Sequence, residues 1–264
     1  MFPPLVVKHA EHWTNCSWPP PLRPSEVHVW RVVVPPEQDM PAAWRDVLTA
    51  EETERVARKR IPADARRTLA SRACLRILAG AYLGVPPNAV PLTTTDAGKP
   101  CLLPGPVAPA LEFNVSHSGD RVMLAFTRGL PVGIDIECMR QLEHNDLVDH
   151  FFSPAEREAW RDVPPEHRPR AFYLAWTRKE AFLKALGVGL SKALDSFSVS
   201  FAEDSPSGVV CAESEMASAM APWALISLDV APGYACTLAV GGDATFLHTL
   251  AFDGNGTGAE TRVD

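Results

Sequence analysis

No apolar run in the 264 residues approaches the ~20 that a membrane-spanning helix needs, which excludes an integral membrane protein built on helices. There is no basic surplus either. The formal net charge of −7 argues against a general nucleic-acid binder. The six cysteines include no C-x-x-C pair, so neither a zinc site nor a disulfide framework is indicated, and a reducing cytoplasm is the simpler setting. Met1 to Lys8 carries no charged region ahead of its short apolar stretch and does not read as a secretory signal. With 46% hydrophobic and 22% charged residues the chain is ordinary for a globular protein, long enough for one large domain or two smaller ones.

What the chain does have is unevenly distributed. Between Arg55 and Arg76 eight basic residues face a single acid, Asp64. A basic stripe on an acidic protein suggests a small polyanionic ligand, the plainer reading being a solvated helical face. Residues 1–25 are Pro-rich and are expected to wrap the surface or lack order. A strand over Val27 to Val34 precedes a capping box at Thr49-Ala50-Glu51-Glu52 that opens a helix to about Lys59. A longer helix runs from about Ala63 to Leu83, with Leu69, Ala73, Ile77 and Ala81 on its apolar stripe and Gly84 as its stop. Glu112 to Val115, Arg121 to Thr127 and Val132 to Glu137 read as strands. Ser153-Pro154-Ala155-Glu156 starts another helix, and a second long one spans about Arg170 to Leu186. Phe197 to Phe201, Ala224 to Val230 and Tyr234 to Val240 alternate like strands, with a loose tail from Gly241. The expectation is an α+β fold in two parts, each pairing one long helix with a few strands, and no short sequence repeat is visible. The boundaries expected are a Pro-rich segment at 1–25, an N-terminal α/β subdomain at 26–130, a C-terminal one at 131–240 and the tail at 241–264.

Val132-Gly133-Ile134-Asp135-Ile136-Glu137 is the most informative hexapeptide. Alternation sends Val132, Ile134 and Ile136 to a core and Asp135 and Glu137 to the opposite face, roughly 6–7 Å apart at the backbone. Paired carboxylates repel unless a cation lies between them, and oxygen donors suit magnesium or manganese. A solvent-facing strand edge is the alternative. Glu180 and Lys184 share one face of the second long helix, as an ordinary surface pair would, yet Phe172, Trp176 and Leu183 imply that this helix is packed. In Asn114-Val115-Ser116-His117-Ser118-Gly119, hydroxyls and an imidazole in a tight turn after a strand have the makings of a phosphate cradle. A serine-nucleophile reading is poor, because adjacent Ser and His rarely reach the required geometry and no nucleophile elbow is present.

Taken in order, Gly98-Lys99-Pro100, Phe113-Asn114-Val115-Ser116-His117-Ser118-Gly119, Gly133-Ile134-Asp135-Ile136-Glu137, Phe151-Phe152-Ser153-Pro154-Ala155-Glu156, Trp176 to Lys184 and Gly187-Val188-Gly189-Leu190 resemble the Sfp-type 4′-phosphopantetheinyl transferases. The likeness covers roughly Leu48 to Val240. It implies two similar α/β halves related by a pseudo-twofold axis, with coenzyme A between them and Mg²⁺ (or Mn²⁺) on its diphosphate. It further implies attack by the serine hydroxyl of an acyl or peptidyl carrier protein, with 3′,5′-ADP released. By resemblance Asp135, Glu137 and Glu180 gather at the metal, Glu180 is the base, and Lys184 steadies the diphosphate or leaving group. Ser116 and His117 would contact phosphates, with His117 among the catalytic set. Gly98, Lys99 and Pro100 would line the adenine and phosphate side, and Arg55, Arg67 and Thr68 would stand near the 3′-phosphate. Two departures are Glu52, at a position often basic in relatives, and Val188, where a lysine is frequent. Glu156 neighbours the metal in some relatives, although its capping role suffices to explain it. A non-catalytic relative and a metal-dependent phosphohydrolase are the competing readings. Polyketide and nonribosomal-peptide carriers are plausible substrates, and two halves in one chain allow a monomer.

Overall fold

The structure is a computed structural model describing residues 6–7, 12–95, 98–103, 110–140, 144–187, 193–201, 211–212 and 223–254. Its elements are β1 (Val6–Val7), β2 (Thr14–Asn15), β3 (Glu26–Val33), α1 (Ala43–Asp46), α2 (Ala50–Ala57) and α3 (Pro62–Leu83). They are followed by β4 (Leu92–Thr94), β5 (Pro100–Leu102), β6 (Leu111–Ser118), β7 (Arg121–Arg128) and β8 (Val132–Cys138). Then come α4 (His144–Phe151), α5 (Pro154–Arg161), α6 (Arg168–Leu186), β9 (Phe197–Ser198), β10 (Cys211–Ala212), β11 (Trp223–Ser227), β12 (Tyr234–Gly241) and β13 (Phe246–Phe252).

The order β3-α1-α2-α3-β4-β5-β6-β7 recurs as β8-α4-α5-α6-β9-β10-β11-β12. Strand pairing repeats too: β3-β7-β6 in the first half and β8-β12-β11 in the second, all antiparallel. The chain is therefore an α+β fold of two topologically equivalent halves. Three apolar clusters hold it as four layers. Leu69, Ala73 and Leu78 of α3 meet Trp30, Leu124 and Phe126 on one side. Phe172, Ala181 and Phe182 of α6 meet Leu225, Ala235 and Ala239 on the other. Between the two sheets, Val27, Val29 and Met123 face Ile134, Ile136 and Leu238.

Each half is pinned by the same device. Thr49 and Glu52 complete a capping box on α2, and Ser153 and Glu156 complete one on α5. In both cases the glutamate is buried and reaches a cation on the long helix, Arg76 at 2.6 Å from Glu52 and Lys179 at 2.8 Å from Glu156. Those cations then donate to carbonyls beyond the helix, Arg76 to Pro87 and Val90, Lys179 to Leu194 and Phe197. Two expectations change accordingly. Arg76 leaves the basic stripe for the interior, and Glu52, at the position often basic in relatives, is a buried partner of Arg76 and Arg72. Glu156 has no room for a metal, since Lys179, the Ser153 amide and the Val199 amide occupy both its oxygens.

The loose tail expected from Gly241 is also corrected. Phe246–Phe252 forms β13, parallel to β3, with Leu247, Thr249, Leu250 and Phe252 buried. Its apolar residues interleave with His248 and Thr249, which hides a half-buried strand in a polar-looking segment. The Pro-rich start joins the same edge, since β2 pairs with β13 and the Cys16 amide donates to the Ala251 carbonyl. Among the described residues, no helix is long and apolar enough to cross a membrane.

Glu156→Ala, which leaves Lys179 buried beside no carboxylate, should lower stability by roughly 3–5 kcal/mol in a urea titration. Burial pushes the Glu52 carboxyl up, but the bonds from Arg76 and the Thr49 amide, with the Arg76 and Arg72 charges, outweigh it and hold the carboxyl below its ordinary range. Its contribution is therefore present above the ordinary carboxylate pKa and lost as pH falls through the depressed one. Wild type should lose more stability on acidification than Glu52→Gln does.

Candidate active site

The site forms where the two halves meet along β6 and β8. These strands lie side by side, yet side chains of β6 take the place of a backbone ladder. Asn114 Oδ1 accepts from the Ile134 amide at 2.9 Å, Ser116 Oγ from the Ile136 amide at 3.3 Å, and Ser118 Oγ from the Cys138 amide at 3.0 Å. Spacing by two puts all three on one face of a strand. Ser116, His117 and Ser118 thus belong to β6, not to a turn; the reversal itself is Gly119-Asp120. Gly119 has φ of +58°, and a Cβ there would lie 2.1 Å from the Tyr234 hydroxyl. That hydroxyl in turn accepts from the Asp120 amide and donates to Asp120 Oδ1, tying the turn to the second half.

The other wall is α6. Gly133 lets the helix lie directly on β8, since a Cβ at this position would come within 2.0 Å of the Ala181 carbonyl oxygen. This close crossing brings Glu180 and Lys184 over Asp135 and Glu137. Lys184 Nζ donates to Asp135 Oδ1 at 2.6 Å and to Ser116 Oγ at 3.1 Å. Ser116 Oγ donates to the same Asp135 oxygen at 2.9 Å, and Ser118 Oγ donates to Glu137 Oε2 at 2.9 Å. Burial, then the Asp135 and Glu137 charges, push the Glu180 carboxyl above its ordinary range, with Lys184 opposing. Glu137 is raised by burial and by Asp135.

Asp135 Oδ2 is buried and has no hydrogen-bond partner among the described residues. An orphaned carboxylate oxygen costs free energy unless a ligand meets it. Three mutually repelling carboxylates with that oxygen among them fit a hard divalent cation. They are a neighbouring set and not a closed ligand cluster. Among the described residues, the group of His, Cys, Asp and Glu side chains whose ligand atoms all lie within 4.8 Å is a different one, Glu26, His28 and His248.

Not every sequence-based candidate reaches this junction. His117 is exposed at the end of β6. Its imidazole lies below its ordinary pKa through partial desolvation and the charges of Arg67, Lys184 and Lys59. Arg67, Lys184 and Lys59 make a cationic rim beside it. Arg67 Nη1 donates to the Gly119 carbonyl and Nη2 to Asp64. Arg55 instead pairs with Glu51 on exposed α2, and the Thr68 hydroxyl donates to the Asp64 carbonyl within its own helix. Ser116 is a buried linker and not an open phosphate contact. The Lys99 ammonium donates to the Lys184 carbonyl at 2.7 Å and lies 3.5 Å from that of Val132, so it joins the halves rather than standing free beside a phosphate. Gly98, with φ of +80°, and Pro100 shape the β4–β5 connection that carries it. Asp96, Ala97 and the Val188-Gly189-Leu190 motif lie outside the described residues. The sequence places Asn114 and Ser118 in a phosphate-cradle motif and Lys59 in the basic stripe without giving them these roles, and Tyr234 carries no signal; the N-x-S-x-S spacing is the available sign that Asn114 and Ser118 share a strand face.

A two-halved α+β protein with carboxylates and cations at its seam suits chemistry on a charged ligand, and the comparisons give the family. Residues 131–239 match the model of the 4′-phosphopantetheinyl transferase superfamily, and residues 34–128 match the model described as 4′-phosphopantetheinyl transferase, N-terminal. The boundary between the matches falls between β7 and β8. The chain is 32% identical over 220 residues to the 4′-phosphopantetheinyl transferase HetI of Nostoc sp., covering 83% of this chain and 88% of that one. It is 30% identical over 200 residues to the 4′-phosphopantetheinyl transferase Sfp of Bacillus subtilis, with 76% and 85% covered. The chain belongs to the 4′-phosphopantetheinyl transferase family, as its ordered motifs imply.

Gly133→Ala should displace α6 from β8. The expected result is a loss of about 1–3 kcal/mol or more in denaturant titration, together with a transfer rate depressed well beyond what the remaining folded fraction explains.

Proposed function

We propose that the chain is a Mg²⁺-dependent enzyme that moves 4′-phosphopantetheine from coenzyme A to a serine of apo acyl or peptidyl carrier domains. The observation that carries this reading is the seam itself, which sets Asp135, Glu137 and Glu180 beside Lys184, with His117, Arg67 and Lys59 along the rim. When bound, Mg²⁺ (or Mn²⁺, with the same donor preference) would be held by Asp135, Glu137 and Glu180 and would neutralise charge on the diphosphate.

Phosphoryl transfer is governed by positioning and charge more than by covalent assistance. Arg67, Lys59 and Lys184 supply positive potential for the coenzyme A phosphates. His117, kept neutral by its lowered pKa, offers a ring N–H to a phosphate oxygen. In the transfer the carrier serine oxygen forms a bond to the β-phosphorus, and the bond from that phosphorus to the bridging oxygen breaks. The departing group is 3′,5′-ADP. Glu180 takes the serine proton, a role favoured by the raised affinity for protons that burial and its acidic neighbours give it. Ser116 acts indirectly, orienting Asp135 and Lys184. Polyketide and nonribosomal-peptide carriers, a monomeric state and a cytoplasmic setting belong to the same reading.

Purified protein, coenzyme A, Mg²⁺ and an apo carrier domain should yield a carrier heavier by one phosphopantetheine in intact-mass analysis. Carriers left unmodified across several domains would reject the assignment. Glu180→Gln is isosteric and relieves repulsion, so it should fold normally while transfer falls by about 10²-fold or more. Wild-type rates in that variant would remove Glu180 as the base.

A further inference from the structure

Away from the seam, β3 and β13 bring together donors of a different kind. His28 pairs directly with His248 in the parallel register, and Glu26 lies two residues before His28 on the same face. Their ligand atoms lie within 4.8 Å of one another, with His28 Nε2 3.8 Å from Glu26 Oε2. We propose that Glu26, His28 and His248 form a second metal site, for a divalent transition ion of the zinc class, distinct from the oxygen-donor site at the seam.

Two imidazoles and a carboxylate are a donor set that zinc accepts and that magnesium does not favour. His28 is buried, and its Nδ1 is bonded to the Tyr82 hydroxyl at 2.7 Å, which itself accepts from Trp30 Nε1 at 2.9 Å. That contact fixes the ring and leaves Nε2 facing Glu26; in the tautomer with the proton on Nδ1, donated to the Tyr82 hydroxyl, Nε2 presents the lone pair that a metal takes. Burial, with His248 adding to it, lowers the pKa of the ring to about 3. With bonds of about 2.0–2.2 Å, donors around a tetrahedral ion stand roughly 3.3 Å apart. Closing to that spacing falls chiefly to the exposed His248, which can change rotamer while His28 stays fixed and Glu26 Oε2 keeps its bond from the Arg23 amide at 2.9 Å. A water in the fourth position completes the coordination.

The test uses the full chain without an affinity tag, in excess Mg²⁺ so that the seam is occupied. Zn²⁺ is titrated calorimetrically, and retained zinc is counted after gel filtration. Wild type should retain one zinc per chain, and Co²⁺ substitution should give visible d–d absorption. His248→Ala, at an exposed position, and the isosteric Glu26→Gln should weaken zinc binding by at least about tenfold, lose the cobalt bands and leave Mg²⁺-supported transfer unchanged. A wild type that retains no zinc, or variants that retain it as wild type does, would overturn the proposal.

Discussion

The whole site depends on one seam, where β8 receives on its free edge the side chains of Asn114, Ser116 and Ser118 instead of a neighbouring backbone. A sheet edge with unpaired N–H groups is ordinarily a liability, and here three acceptors spaced by two satisfy it. The substitution has a consequence that backbone pairing does not offer. Ser116 and Ser118 each accept from the edge and donate to a carboxylate on the far side, so the joint between halves and the orientation of Asp135 and Glu137 are one structure. A slip of one residue in β6 would exchange Ser116 for His117 or Val115 at that position and undo both functions together.

The two halves share a scaffold and divide the chemistry. Each has a capping-box glutamate bonded to a buried cation on its long helix, and each cation also gathers carbonyls after that helix. Breaking such a pair strands a buried charge, which explains why the device is best read as fixing helix position rather than adding net stability. With the helices fixed alike, the differences fall at the seam. The second half contributes Asp135, Glu137, Glu180 and Lys184, and the first contributes Ser116, His117 and Arg67. Lys99 crosses from the first half to the carbonyl of Lys184 and ties the two contributions together.

Local signals in the sequence carried much of this arrangement. The capping boxes at Thr49 and Ser153, the stop at Gly84 and the alternation in Val132 to Glu137 are determined by near neighbours, and each stands as read. What near neighbours do not determine is long-range. The two-part α+β organisation is expected and present, yet the equivalence of the halves leaves no short repeat, because it is kept by topology and by paired types such as Arg76 and Lys179, not by identity. β13 was missed because His248 and Thr249 interrupt its apolar residues while its partner β3 lies 220 positions away in register. By residue type alone Asn114 to Ser118 suggest a phosphate cradle, whereas only the placement of β6 beside β8 reveals that Asn114, Ser116 and Ser118 face amides. The basic stripe likewise resolved into separate tasks once Arg76 and Arg72 met Glu52 and Arg67 met Asp64.

The remaining tension is between folding and the chemistry. Glu137 and Glu180 are driven above the ordinary carboxylate range, and Asp135 keeps an oxygen buried without a partner. Each of these features opposes the folded state when no cation compensates, because the unfolded chain would ionise the same groups freely in water. A fold selected for stability alone would fill the seam with neutral side chains. A seam that holds three acids, one strongly bonded lysine and a rim of further cations carries charge that it does not itself fully compensate; the proposed function supplies a divalent cation for the acids and a polyanion for the rim. The two are complementary to one another as well, so a ligand carrying both satisfies every unmet demand at once. A diphosphate with its counterion, the pair invoked by the proposed function, has that composition.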